Sequence, residues 1–255
     1  MDEKKKKQLQ LEKLHKERDA LVVKSNILLR DVRYNLSATE QKIIIYLISK
    51  ILADDKDFQN VRMSIKDYCS LANITRSGDT YQRVKDSIET LSDKSWWIKY
   101  DKGERLFRWI DTADLEHESY IDIVLSKSLK PYLLELRQNF TKYELINVLV
   151  LHSKHSIRLY EIFKSNLWLH SWTVSLVDFK EILNISDKYK NYKDLRKFVI
   201  DPSVKEISKY TDISVSYEPI KTGRSVTDLV FSIEEKAGYQ LTWETILNQQ
   251  ERLGE

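Results

Sequence analysis

The chain has 255 residues, 32% of them charged and 42% hydrophobic, with a formal net charge of +3. That balance suits a folded globular protein rather than a disordered one, and it leans only mildly toward anionic partners. Cys69 is the one cysteine, which rules out an intrachain disulfide, and no apolar run approaches the ~18 residues needed to span a bilayer.

Residues 1–20 are almost all charged or glutamine and are expected to form a frayed helix or a solvated arm. The start, MDEKKKK, has no apolar h-region, so no secretory signal is expected and the cytoplasm is the expected compartment. Five glycines and three prolines leave little material for flexible linkers. Ser37, with Glu40 three residues on, has the spacing of a capping box, and Ile44, Leu47, Ile48 and Ile51 continue with the helical period. Val61, Met63 and Ile65 alternate as a short strand. Ser64 and Asp67 repeat the cap spacing and start a second helix that stops at Asn73.

After a turn at Ser77-Gly78-Asp79, a third helix is expected from about Thr80 to Lys94, with Val84, Ile88 and Leu91 buried. Trp96 to Tyr100 and Leu106 to Ile110 flank Asp101-Lys102-Gly103-Glu104 and form a hairpin signal, and Tyr120 to Leu125 alternates as a further strand. Trp96, Trp97 and Trp109 are either ordinary core or a sheet edge suited to self-association. Residues 126–146 connect this stretch to the next, with a short helix expected around Pro131.

The pattern then repeats. VRMSIKDYCSLANIT at 61–75 aligns with WTVSLVDFKEILNIS at 172–186, and the register carries on through Tyr81 with Tyr192, Val84 with Leu195 and Ile88 with Val199. Cys69 falls on Lys180. A long self-similarity of this kind signals one supersecondary unit used twice. In the second copy the first helix spans Ser156 to Leu169, the second Ser175 to Asn184 and the third Tyr189 to Tyr210. A hairpin follows from Ile213 to Tyr217 and Val226 to Ile233. Beyond Gly238 the tail looks helical. Helix, helix-turn-helix, hairpin is the order of a winged helix, whose last helix enters the major groove while the hairpin follows the backbone.

The expected fold is therefore α+β, two tandem winged-helix domains related by internal duplication. The arm covers 1–20, domain 1 covers 21–140, domain 2 covers 141–236 and a tail covers 237–255.

On the third helix of domain 2, Lys190, Lys193 and Lys197 have the spacing of one helical face, with Arg196 on its flank and Leu195, Phe198 and Val199 opposite. Lysines there suit phosphates, and Arg196 suits the paired acceptors O6 and N7 of guanine. Lys221 and Arg224 at the hairpin tip extend the basic surface. Past Pro202 the apolar positions shift around the helix. Either the C-terminal half is buried on both sides, or Pro202 restarts the helix with Asp201 as its cap. The corresponding helix of domain 1 offers Gln82, Arg83 and Lys85, diluted by Asp86, Glu89 and Asp93. Domain 1 either binds a second DNA segment or serves dimerisation.

Several residues together resemble the iteron-binding, theta-type plasmid replication initiators. They are Val23-Lys24-Ser25-Asn26, Leu36-Ser37 with Glu40-Gln41-Lys42, and Arg158-Leu159-Tyr160-Glu161. Tyr189-Lys190, Asp194 to Lys197, Glu206-Ile207, Thr211-Asp212, Gly223-Arg224 and Val230-Phe231 complete the set. The resemblance covers roughly residues 20–235, and its specificity lies in order and spacing. It implies two winged helices and monomers that bind directly repeated iterons of double-stranded DNA at a plasmid origin. It also implies homodimers, formed through domain 1, that repress the protein's own gene, and recruitment of a host initiator and helicase. Base contact carries over to Lys193, Arg196 and Lys197, and the wing contact to Lys221 and Arg224. Phe198 departs from the family, standing where relatives can carry a third consecutive basic residue.

No enzyme chemistry, cofactor or metal is expected. His152 and His155 lack the His-hydrophobe-His form of a nicking site, no GxxxxGK[ST] loop is present, and one cysteine makes no zinc set. The rival readings are a dimeric winged-helix transcriptional regulator without a replication role and a protein-binding adaptor.

Overall fold

The structure is a computed structural model that describes residues 20–52, 55–71, 77, 79–100, 102–116, 120–134 and 136–239. The arm at 1–19, the tail from 240 onward, Asn73, Gly78 and the Asp67 side chain lie outside the described residues. The chain divides into two compact units. Among the described residues the first holds 20–24, 39–138 and 142–149, and the second holds 25–38, 139–141 and 150–239. The division is interleaved rather than a single cut near residue 140.

In the first unit, α2 (Ala38–Ile48) is buried on every side from Glu40 to Ile48, not along one stripe. Its polar members are therefore partnered. Lys94 Nζ donates to both Glu40 carboxylate oxygens at 2.7 and 2.8 Å, and Lys42 Nζ donates to the Leu149 carbonyl at 2.7 Å. Then come β2 (Val61–Ser64), α3 (Ile65–Leu71) and α4 (Thr80–Asp93), with Val84, Ile88 and Leu91 buried as their spacing requires.

Two hairpins follow rather than one. β3 (Ser95–Tyr100) pairs with β4 (Gly103–Arg108) as a separate two-stranded sheet. β5 (Ile110–Glu116) and β6 (Tyr120–Leu125) join β2 in the order β2-β6-β5. The winged-helix wing of this unit is therefore β5–β6. The tryptophan hairpin, expected to be the wing, is an additional element between α4 and the wing. Its two tryptophans, Trp96 and Trp97, divide by pleat, and Trp109 follows just after β4. Trp96 and Trp109 are buried with ring centroids 4.4 Å apart, whereas Trp97 is 61% exposed opposite the exposed Leu106. The segment after β6 holds a short helix, α5 (Lys130–Leu133). The chain then forms β7 (Phe140–Glu144), which pairs with β1 (Leu21–Ser25), and α6 (Ile146–Leu149).

The second unit begins with α1 (Asn26–Arg30). Residues 25–38 belong here because α7 (Lys154–Asn166) holds them. Buried Arg158 donates from Nη2 to the Val32 carbonyl at 2.7 Å and from Nη1 to the Tyr34 hydroxyl at 2.8 Å, and Arg30 Nε donates to Ser165 Oγ at 3.0 Å. β8 (Ser171–Ser175) leads into α8 (Leu176–Ile182), capped by Ser175. Ser175 Oγ accepts from the Asp178 amide at 3.0 Å and donates to the Asp178 carboxylate at 2.7 Å.

The stop of α8 explains the asparagine of the second copy. Asn184 takes φ 53°, its amide donates to the Glu181 carbonyl, and the Ile185 amide reaches back to the Lys180 carbonyl. Both bonds are those of a Schellman stop, where asparagine is one of the few residues that tolerates a left-handed backbone. β9 (Ile213–Thr222) and β10 (Ser225–Glu235) pair with β8 in the order β8-β10-β9. Pro219 falls on β9, an edge strand, where a missing amide is tolerated. Phe231, fully buried, sits among Phe163, Phe179, Trp172 and Tyr217 at centroid distances of 5.0 to 5.9 Å.

In both units the strand before the second helix pairs with the last strand of the wing. The fold is two winged helices of mixed α and β structure. No helix among the described residues is long and apolar enough to cross a membrane.

Candidate nucleic-acid interface

The third helix of the second unit, α9, opens at Tyr192–Leu195, widens into a π turn at Arg196–Ile200 and continues as Asp201–Tyr210. It starts at Tyr192 because Asn191 caps it. Asn191 Oδ1 accepts from the Asp194 amide at 2.8 Å, and its Nδ2 donates to the Asp194 carboxylate at 2.7 Å. Tyr189, at φ 51°, is in a left-handed conformation that no helix interior adopts. The expected start at Tyr189 is therefore corrected. Lys190 precedes the cap, is exposed, and does not share a helical stripe with Lys193 and Lys197.

Pro202 produces the π turn rather than a restart. It has no amide to offer the Phe198 carbonyl, and its ring crowds that carbonyl. The Asp201 amide instead bonds the Arg196 carbonyl five residues back. Asp201 is thus a helix-interior residue, not a cap. One added residue turns the C-terminal half back by about 100°. Leu195, Val199, Ile200, Ser203 and Ile207 all become buried along one face. The same turn carries Phe198 out of the core, where periodicity had placed it, to 55% exposure. Its ring stacks on Tyr189 at 6.4 Å between centroids, and Lys197 Nζ lies 5.1 Å from its centroid.

Lys193, Arg196 and Lys197 are exposed on the N-terminal half of α9. Arg196 donates from Nε to Asp201 Oδ2 at 3.1 Å. That bond, then the Asp201 charge, raises the pKa of the guanidinium above its ordinary value. The other carboxylate oxygen, Oδ1, accepts from the Tyr217 hydroxyl of β9 at 2.5 Å. Burial, then Asp201 and Tyr192, push the Tyr217 hydroxyl up, so it remains a donor.

The wing tip is a two-residue turn, Gly223-Arg224, between the paired Thr222 and Ser225. Gly223 at φ 63° supplies the left-handed dihedral the turn needs. Lys221 and Arg224 are exposed on either side of it. Five basic side chains of the second unit thus lie exposed on the two elements a winged helix presents to duplex DNA, with ammonium groups suited to phosphate and one guanidinium suited to a base edge.

Gln82, Arg83 and Lys85 are exposed on α4 of the first unit. Gln82 Nε2 donates to Asp86 Oδ1 at 2.6 Å, so part of that face is engaged with its own acidic residues.

The grouping around Arg196 was not legible in the sequence. Asp201 and Tyr217 surround Arg196, and only the π turn brings Asp201 within reach. His152 and His155 flank the start of α7 at its cap Ser153. The His152 amide donates to Glu206 Oε1 at 2.7 Å, with His152 Nδ1 3.2 Å from the same oxygen. Burial pushes the Glu206 carboxyl up, but the bonds at His152 oppose it and the group is held below its ordinary value. No group of three or more His, Cys, Asp or Glu side chains that could hold a metal occurs among the described residues.

The comparisons with known proteins agree with the fold of two winged helices. A replication initiation protein of Escherichia coli is 26% identical over 228 residues, covering 85% of this chain and 71% of that one. An uncharacterized 27.6 kDa protein of Escherichia coli is 27% identical over 235 residues, covering 84% and 94%. Among solved structures, the Pi initiator protein in complex with iteron DNA matches in fold. Its TM-score is 0.70 at 20% identity, covering 86% of this chain and 99% of that one. The family model for the first winged helix of the initiator replication proteins matches residues 21–164, and the model for the second matches 175–233. Together these spans take in most of the chain, which therefore belongs to the initiator replication protein family.

Proposed function

We propose that this replication initiator binds directly repeated duplex sites at a plasmid origin, with the N-terminal half of α9 in a major groove and the β9–β10 turn along the backbone. The observation that carries this reading is the exposed set of Lys193, Arg196 and Lys197 on α9, with Lys221 and Arg224 at the wing tip. Lys193, Lys197 and the wing residues neutralise phosphate, and Arg196 reads guanine. Lys190, just before the cap, adds a phosphate contact, and Gln82, Arg83 and Lys85 provide a weaker one from the first unit. The Pi initiator, which has the same fold, is bound to iteron DNA in its solved structure.

The first unit also serves self-association, through the exposed pair Trp97 and Leu106 on its additional hairpin. As a dimer the protein represses its own gene, and as a monomer on open origin DNA it meets the host initiator and helicase in the cytoplasm. Its work is binding, and no catalytic step is ascribed to it.

Footprinting of the purified protein on DNA flanking its own gene tests this reading. Tandem, in-phase direct repeats should be protected by the monomer and an inverted repeat by the dimer. Protection of a palindrome alone would favour a dimeric regulator. Affinity for duplex DNA that does not fall with salt would leave a protein-binding adaptor.

A further inference from the structure

The most unusual local feature near the basic surface is the pairing of Arg196 with Asp201. Residues five apart on a regular α-helix point about 140° away from each other and do not meet. Here the π turn closes the bond from the Asp201 amide to the Arg196 carbonyl and brings the two side chains together. The carboxylate is held at both oxygens, by Arg196 Nε on one side and by the Tyr217 hydroxyl, from a different element, on the other.

The pair is half exposed, at 59% for Arg196 and 46% for Asp201. Such a surface pair adds little to stability. A negative charge beside a phosphate-binding surface also works against general DNA affinity. Neither stability nor affinity accounts for Asp201. Geometry does: a guanidinium has five N–H donors, and the bond to Asp201 uses the one on Nε. Arg196, 59% exposed, makes no other hydrogen bond among the described residues, so the four donors on Nη1 and Nη2 are left available to a ligand. Those donors form the edge that matches O6 and N7 of guanine.

We propose that Asp201, anchored by Tyr217, is a positioning residue for base readout, holding the Arg196 guanidinium with its Nη edge presented to guanine. The proposal rests on the reading of α9 as the groove helix.

The test uses the full-length protein, its footprinted site, the same site with each guanine pair exchanged, and a random duplex of equal length. The variants are Asp201→Ala, Asp201→Asn, Tyr217→Phe, Arg196→Ala and the double Arg196→Ala/Asp201→Ala. Asp201→Ala should lower the preference for guanine at one base pair by about tenfold, while affinity for random duplex holds or rises. Asp201→Asn keeps one acceptor and should recover part of the preference, and Tyr217→Phe should lose several-fold. In the Arg196→Ala background, removing Asp201 should leave base preference unchanged.

Equal gains on specific and random DNA after Asp201→Ala would overturn the proposal, because Asp201 would then only repel phosphate. A sharper guanine preference would also overturn it, because Asp201 would then be sequestering Arg196. If Arg196→Ala loses the preference and none of the Asp201 or Tyr217 variants does, the positioning role alone falls. If Arg196→Ala itself leaves preference intact, the groove reading falls with it. Should Asp201→Ala fail to fold, Asp201→Asn and Tyr217→Phe carry the same decision.

Discussion

The third helices of the two units, α4 and α9, are built on one plan and differ in what they present. Val84 and Ile88 in α4 correspond to Leu195 and Val199 in α9, and all four are buried. On the outside, α4 mixes Arg83 and Lys85 with Asp86, Glu89 and Asp93, while the first turns of α9 carry Lys193, Arg196 and Lys197. α4 is one α-helix, whereas α9 contains a π turn that shifts its exposed residues without shifting its core. A repeated burial pattern specifies the scaffold, and the residues between the buried positions specify the task.

The bluntest way to break this comparison is to remove one scaffold. Phe231→Ala deletes the centre of the aromatic cluster and should destabilise the second unit by roughly 3–5 kcal/mol. Denaturant unfolding should register that loss, together with loss of DNA binding. Retained site-specific binding would mean that α4, not α9, is the principal reader.

Next comes Arg196→Ala, which should cost roughly 1–3 kcal/mol on the specific site and relax base preference at one position. Equal losses on specific and random duplex, measured by titration, would reduce Arg196 to a phosphate contact and bring α9 closer to α4 in kind.

Acid provides a smaller lever. Burial, then Lys154 and Lys188, push the His155 imidazole down to about 4. The unfolded chain, with its histidine near ~6.5, binds more protons across that interval. This stability is therefore fully present above about pH 6.5 and is lost as pH falls toward 4. Going from pH 7 to pH 5 should cost the second unit about 1 kcal/mol after solvent screening. His155→Gln should flatten that slope in thermal melts at the two pH values. An unchanged slope would place the acid sensitivity elsewhere.

The finest comparison is in salt dependence. Lys221→Ala or Arg224→Ala should weaken all sequences alike and lower the salt slope by about one. Arg83→Ala should lower it by less than one, because acidic neighbours on α4 already offset its charge. Equal slopes for the two units would show that both grip the backbone to the same extent.

Much of the scaffold was legible in the sequence because burial leaves a period. The face of α4, the strand from Tyr120 to Leu125 and the cap at Ser175 all follow from spacing alone. The start of α9 was obscured by an attractive lysine spacing that ran through Asn191, a strong cap. The repeat itself aligns Tyr192 with Tyr81, inside α4, and so marked the true start. The π turn left no readable trace. A proline inside a helix is compatible with a kink, a restart or a widened turn, and the choice is made by the burial of Ile200 and Ile207 in the folded unit. Phe198 and Asp201 were misplaced for that one reason. The tryptophan hairpin looked like the wing because local alternation shows that two strands pair but not which sheet they join.

The widened turn also ties the two halves of α9 to one core in a way a plain helix could not. Losing a single residue between Arg196 and Ile200 would swing everything upstream by about 100° around the axis relative to the segment after Pro202. Buried Leu195 would swing with it, so the widened turn is what keeps Leu195 and Ile207 in one core while Arg196 and Lys197 stay outside.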